Sequence, residues 1–410
     1  MEEILYEKRN FILIYAIVSI LLVFTIGHYD ANAIVGWAVE LLRTISHGDL
    51  HNYQNNLQEI NLPTNYGIVI NAIDAVILLP VYIVELCKIS VPLIVYISWY
   101  KIILSLALVI TGFILGKTMR ACGFENNRIE IFIGLSFLTL VYGVAMGQVD
   151  LLALLFMTLG LYYGVNKSYY RMSIVFSIAF MIKAFPIMAI APIFIYLFKK
   201  QFLNNDKTKW ICETVLFIGP IILERVIEII FIDDFLTYSK LVNEYNFIPK
   251  LQAVNICGIS VYILLTFVTL LVYFIVVLIS KDLTMRALLL CIDLLYFYFY
   301  LLIDYSPQYL IYGFVFMMVT VCALEDRAIL YYLLINIGVI AISLGHFNES
   351  TLNALLISNS LIGDICHVRE FYVGAYIPVI LKEGLWLAGR VIVSGLSAWL
   401  IIKLLKRKER

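Results

Sequence analysis

Twelve apolar runs, each long enough or nearly long enough to cross a bilayer, limit what this chain can fold into. They cover residues 11–27, 66–85, 91–116, 129–147, 151–163, 170–198, 211–232, 254–280, 287–303, 308–324, 329–344 and 373–402. A bilayer core is about 30 Å thick and takes about 20 helical residues to cross. Lipid offers no partner to a backbone N–H or C=O, so such runs must fold as helices that satisfy their own backbone. Composition agrees: 62% of the 410 residues are hydrophobic and 14% charged, where soluble domains carry about 45–50% and about 25%. That excludes a soluble enzyme and a disordered protein. The net charge of +0, from 29 basic and 29 acidic residues, excludes a nucleic-acid binder. Aromatics reach 14%, with 28 Tyr and 25 Phe, which suits long membrane interfaces.

No Gly/Ser/Pro-rich linker and no repeat divides the runs, so residues 1–410 read as one integral-membrane domain. The seven cysteines (Cys87, Cys122, Cys212, Cys257, Cys291, Cys322, Cys366) show no CxxC spacing and read as small hydrophobes. The first run follows Lys8 and Arg9 and has no small-residue cleavage site after it, so it is expected to stay as a signal-anchor helix.

Lys and Arg counting sets the topology. If every run crosses once from a cytoplasmic N-terminus, 15 of 24 loop charges fall inside. Two changes improve this. Run 66–85 returns to the side it left, as a re-entrant or interfacial helix, and run 170–198 turns at Lys183-Ala184-Phe185-Pro186. The split then becomes 19 inside against 5 outside (Arg43, Lys88, Lys240, Lys250, Arg369). The expected fold is an all-α polytopic bundle of about 12 spans in the cytoplasmic membrane, both termini cytoplasmic. The first extracytoplasmic loop holds an interfacial helix and the re-entrant segment. This topology gathers the five histidines (His28, His47, His51, His346, His367), Gly147-Gln148-Val149-Asp150, Lys183 and the turn at 304–309 on the extracytoplasmic face.

Individual residues admit two readings each. Asp30 precedes a segment with Ile34, Ala38, Leu41, Leu42 and Ile45 at helical spacing, too short and polar to span. There Asp30 can cap the helix. Asp150 and Lys183, at the expected outer ends of neighbouring helices, read either as a structural salt bridge or as an anion site with Asp150 orienting Lys183. The Asp304-Tyr305-Ser306-Pro307-Gln308-Tyr309 turn reads first as a helix connection. Asp74 (with Asn71) and Asp293 lie within apolar runs and could line a cavity. Glu224, Arg225 and Glu228 read as a local ion-pair cluster. There is no Walker loop, GxGxxG or HExxH, and no residue set has metal-ligand spacing, though Asp30 and Asp49 could share a divalent ion.

Taken in order, several of these residues form a pattern. An acidic residue after the first span, Asp30, is followed by Trp37 and by Gly48-Asp49-Leu50-His51-Asn52-Tyr53. Then come Gly147-Gln148-Val149-Asp150, Ile182-Lys183-Ala184-Phe185-Pro186 and Ser306-Pro307-Gln308-Tyr309. This order resembles the GT-C superfamily of polytopic glycosyltransferases. The closest likeness is to bacterial mannosyltransferase-like proteins related to the GPI-anchor mannosyltransferases. The family's re-entrant segment usually opens Tyr-x-Pro-Pro, whereas here it reads Asn65-Tyr66-Gly67-Ile68.

The resemblance implies a membrane glycosyltransferase that moves a sugar, mannose first among the choices, from a polyprenyl-phosphate donor to a hydroxyl of a glycan, lipid or protein. Transfer would occur on the extracytoplasmic face, with inversion and no cofactor. Carried over residue by residue, Asp30 would be the base. Lys183, Asp150 and Gln148 would hold the donor phosphate. Trp37, Asp49, Tyr66, Asp304, Gln308 and Tyr309 would line the sugar and acceptor site. The alternative is a transporter or flippase of a lipid-linked glycan or polar solute, for which Asp74 and Asp293 would matter most.

Overall fold

The computed structural model describes residues 2–60, 64, 66–124, 128–203, 206–231, 254–256, 259–280, 285–303, 307–324, 327–345, 361 and 378–406. Among these the chain is helical apart from one antiparallel pair of two-residue strands, Asn255–Ile256 with Ile259–Ser260. The first half supplies α1 (Glu2–Thr25), α2 (Tyr29–Ser46), α3 (Tyr53–Glu59), α4 (Ile68–Leu86), α5 (Leu93–Ala121) and α6 (Ile129–Gly134). A π-helical segment (Leu138–Ala145) precedes α7 (Asp150–Val165), α8 (Tyr169–Ile182), α9 (Ile187–Leu197) and α10 (Lys207–Phe231). The rest comprises α11 (Val261–Ile279), α12 (Met285–Leu302), α13 (Leu310–Leu324), α14 (Ala328–Gly345) and α15 (Val379–Lys406).

All twelve apolar runs contain helix, and the chain is an all-α membrane protein. Among the described residues six helical segments are long and apolar enough to cross a bilayer: Ile68–Leu86, Leu93–Ala121, Val261–Ile279, Pro307–Leu324, Ala328–Gly345 and Ile380–Lys406. A seventh arises if Leu138–Ala145 and Asp150–Val165, bent by 119° at their junction, form one span. Runs 129–147 and 170–198 each fall short of one unbroken crossing helix because local breaks interrupt them. Run 129–147 is interrupted after Gly134. Run 170–198 breaks where expected: Lys183 is extended (φ −152°, ψ 141°), and Pro186 disfavours helix at Phe185 before it.

Segment 66–85, expected to be a re-entrant or interfacial helix, is helical from Ile68. It forms a continuous 19-residue helix with Pro80 inside. That helix, α4, runs beside α2 in the same direction. Tyr66, just before its start, packs edge-on against Trp37. At its far end Glu85 accepts from Arg43 at 3.0 Å, and Tyr82 meets Ser46 at 2.9 Å. Against α5 the geometry differs. Asp74, Ile77 and Glu85 bond to Tyr100, Trp99 and Tyr96. The contacts run in opposite order along the two helices, so α4 and α5 are antiparallel.

Burial separates inner from outer helices. On α13 every residue from Leu310 to Cys322 is buried. On α11 only Tyr262, Tyr273 and Val277 are buried, and much of its apolar surface faces outward. Lipid solvates such a face as readily as neighbouring side chains do.

Candidate functional site

Five element ends meet at one end of the bundle: the start of α2, the 146–149 turn before α7, the 183–186 break, the start of α4 and the Pro307–Tyr309 turn before α13. Gly147 makes the second of these possible. Its φ of +68° lies in the left-handed region, and a Cβ there would stand 2.9 Å from the Cβ of Ala31. The turn thus closes directly on α2 and presents Gln148 to Asp30.

Asp30 lies in the first turn of α2 rather than at its cap. His28 is the cap, its Nδ1 accepting the Asp30 N–H at 3.0 Å. Accepting through Nδ1 leaves the ring proton on Nε2. The Asp30 side chain keeps 24% exposure, and its Oδ2 accepts from the Gln148 amide. Burial pushes this carboxyl up to about 6, against the opposing pull of the Gln148 bond and the Lys183 charge. A base poised near 6 is ionised at neutral pH yet retains more basicity than an ordinary aspartate.

Lys183 stands between carboxylates and is held by phenols. Its Nζ donates to the Tyr66 hydroxyl at 2.8 Å and lies 4.4 Å from the Tyr66 ring centre and 5.7 Å from that of Tyr309. Both Asp30 and Asp150 feel its charge, but among the described residues no carboxylate lies within 4 Å of it. Asp150 is fully buried. Its Oδ1 accepts from Tyr312 at 2.8 Å, and its Oδ2 has no hydrogen-bond partner among the described residues. The direct Asp150–Lys183 salt bridge weighed from the sequence is therefore not formed. Burial and the fields of Asp150, Asp30 and Asp74 push the Tyr66 phenol well up, so it remains an O–H. Phe185 stacks on Tyr309 at 4.5 Å and on Tyr312 at 5.7 Å, which fixes the far wall.

The other expected residues divide. Trp37 and Tyr309 belong to this cluster through Tyr66 and Lys183. Gln308 is beside it, with a buried Oε1 that has no partner among the described residues. Asp49 is elsewhere: it follows the far end of α2, where both carboxylate oxygens accept from Asn52 at 3.0 Å. Eighteen helical residues, about 27 Å, separate it from the Asp30 end. Asp304 lies outside the described residues.

Three features escaped the sequence reading. Lys101 is fully buried beneath the site, its Nζ donating to the Ile26 carbonyl at 2.7 Å and its Cε packed under Gly147. Its place inside an apolar run was the available signal. Glu224 and Glu228 do more than form a local cluster. Arg225 pairs with Glu228, while Glu228 also accepts from the Ile68 N–H at 3.1 Å and Glu224 from the Val69 N–H at 3.4 Å. The two carboxylates cap α4 next to Tyr66 and satisfy amides that its first turn leaves open. Gly67 leaves room for them, since a Cβ there would meet Glu224 Oε1 at 2.5 Å. Third is the His28 cap itself.

Among the described residues no three His, Cys, Asp or Glu side chains are placed to hold a metal ion, and Asp30 and Asp49 are a helix length apart. The cluster offers an accessible carboxylate, an ammonium and several hydroxyl and amide groups within an aromatic wall. It can accept a proton, bind an anion and stack a sugar ring. Set against models of protein families, characterised proteins and solved structures, the chain matches none.

Proposed function

We propose that this protein is a membrane glycosyltransferase that takes a sugar, mannose first among the candidates, from a polyprenyl-phosphate donor. The observation that carries this reading is Lys183: an ammonium held by tyrosines, facing two carboxylates and bonded directly to neither. A cation kept at a membrane protein's helix ends without a direct counterion suits an anionic ligand. A lipid phosphate supplies that anion at headgroup depth. The order of motifs that resembles the GT-C superfamily supports the same reading.

In this scheme the acceptor hydroxyl gives its proton to Asp30 as its oxygen attacks the anomeric carbon. The bond from that carbon to the phosphate oxygen breaks, and its electron pair leaves on the polyprenyl phosphate. Lys183 compensates the charge that gathers on the phosphate, with Tyr66 and Tyr309 beside it. Gln148 holds Asp30. Asp150, buried beneath, acts as a positioning residue through its field and through Tyr312. A single displacement inverts the anomeric centre. The bias of Lys and Arg among the loops supports a site on the extracytoplasmic side, with both termini cytoplasmic.

The transporter reading has less behind it. Asp74 accepts from Tyr100 at 2.9 Å and Asp293 from Thr320 at 2.7 Å, so each candidate relay carboxylate is tied to a hydroxyl inside the bundle.

The test is sugar transfer in proteoliposomes, with radiolabelled polyprenyl-phosphate mannose as donor and a lipid extract as acceptor pool. The expected result is transfer by the wild type and none by Asp30→Asn, with donor binding retained. Undiminished transfer by Asp30→Asn would remove Asp30 from the chemistry. Lipid crossing between leaflets with no new glycosidic bond would replace the reading with the transporter.

A further inference from the structure

At the other end of the bundle the helices part around a cavity of about 340 Å³, within the range of about 300–1,000 Å³ common to ligand pockets. Four helices that start or stop at the site fix the separation. The Asp150 end of α7, the Ile182 end of α8, the Ile187 end of α9 and the Leu310 end of α13 face the site. Their opposite ends, through Val165, Tyr169, Leu197 and Val319, line the cavity. The 16 residues of α7 alone put about 24 Å between the two.

The walls are apolar, with Leu115, Leu161, Phe176, Leu288 and Phe316 among them. The mouth is basic. Lys167 and Lys200 line the cavity and are exposed. Tyr169 and Tyr196 stand with them; Lys200 Nζ lies 5.6 Å from the Tyr196 ring centre, and Lys209 Nζ 5.2 Å from that of Tyr169. Lys167 has φ +60°, at a helix end where Gly or Asn is the usual occupant. The chain places a long cation there instead.

We propose that this cavity holds one acyl chain of an anionic phospholipid, with the lipid phosphate at Lys167 and Lys200. Apolar walls between membrane helices reject polar solutes and accept the hydrocarbon that the bilayer supplies. Two ammonium groups at the mouth select a net negative headgroup over a zwitterionic one, since each basic residue at a membrane surface favours anionic lipid. The phenols of Tyr169 and Tyr196 can donate to phosphate or glycerol oxygens. This site is separate from that of Asp30, and its test makes no use of sugar transfer.

The experiment is native mass spectrometry of the full chain in mild detergent, titrated with phosphatidylglycerol or phosphatidylcholine of the same acyl chains. Phosphatidylglycerol is expected to bind one tight site about tenfold more strongly. The double variant Lys167→Ala/Lys200→Ala, which changes only exposed side chains, is expected to abolish that preference. Leu161→Trp, which fills the cavity, is expected to lose the tight site for both lipids. Equal binding of the two lipids by the wild type would overturn the proposal, as would a preference that survives the double variant.

Discussion

The two ends of this bundle share four helices and carry opposite chemistry. Around Asp30 the helices stop short, and their ends hold ionisable and amide groups against one another. Around the opposite cavity the same helices present mainly apolar side chains, with exposed Lys167 and Lys200 and the rings of Tyr169 and Tyr196 at the mouth. The difference follows from what each end asks of the backbone. A helix end frees amides and carbonyls that need partners. At the Asp30 end those partners are side chains: His28 for α2, and Glu224 and Glu228 for α4. Groups so held are fixed in position, as a reacting site requires. At the cavity end the surroundings are apolar chains, and shape and charge at the mouth are the only means of selection.

Asp30→Asn should strike one end hardest. Asn keeps the size and can still accept from Gln148, but it cannot take a proton. Transfer should fall by about 10²- to 10⁴-fold, the usual worth of a general base, with little change in donor affinity. Lys183→Met comes next. It keeps the stem beside Tyr66 and removes the charge, so transfer should fall by about 10²- to 10³-fold. Donor binding should weaken with it, which steady-state kinetics at several donor concentrations will separate from the Asp30 effect. If Lys183→Met leaves donor affinity intact, the ammonium serves only the fold, and the contrast between the two ends loses its main support.

The pH profile sharpens the comparison further. With its carboxyl raised to about 6, Asp30 is protonated below that pH, and kcat/KM should drop about tenfold per unit there. Stability should move the other way. A carboxyl raised on folding adds stability below its unfolded value near 4, and that contribution is lost as pH rises through about 6. At pH 8 the Asp30→Asn variant should therefore unfold at a Tm no lower than the wild type, despite its lost activity. A clear fall in Tm would mean that Asp30 is held as a structural anion.

Much of the site could be read from the chain because ionisable residues in apolar runs stand out. Asp150 and Lys183 did so, and Pro186 marked the break that exposes Lys183. Lys101 carried the same signal, but its partner is the Ile26 carbonyl, and a backbone oxygen has no letter in the sequence. Glu224 and Glu228 fail to show for a related reason: they reach amides of α4, 155 and 160 positions away. The α2 cap was misread by two residues, since a neutral His Nδ1 can accept the N–H that an Asp also could. Hydropathy alone registers a broken helix and a continuous one alike. Only local geometry, such as the 119° bend beside Gly147, separates them.

Asp49 should give the smallest effect, and it tests whether the site is as confined as its geometry implies. The resemblance placed it with the sugar and acceptor groups. Its carboxylate instead bonds Asn52 at the end of α2 that also holds the Arg43–Glu85 pair at 3.0 Å. A charge about 27 Å from Asp30 is beyond the Debye length of about 8 Å at physiological salt. Asp49→Asn should leave transfer within about twofold of wild type and cost under about 1 kcal/mol of stability, as an exposed side-chain bond does. A tenfold loss of transfer with Tm unchanged would mean that the acceptor reaches along α2. The site would then be a groove running the length of that helix, and the polar end of the bundle would extend well past the five element ends that meet at Asp30.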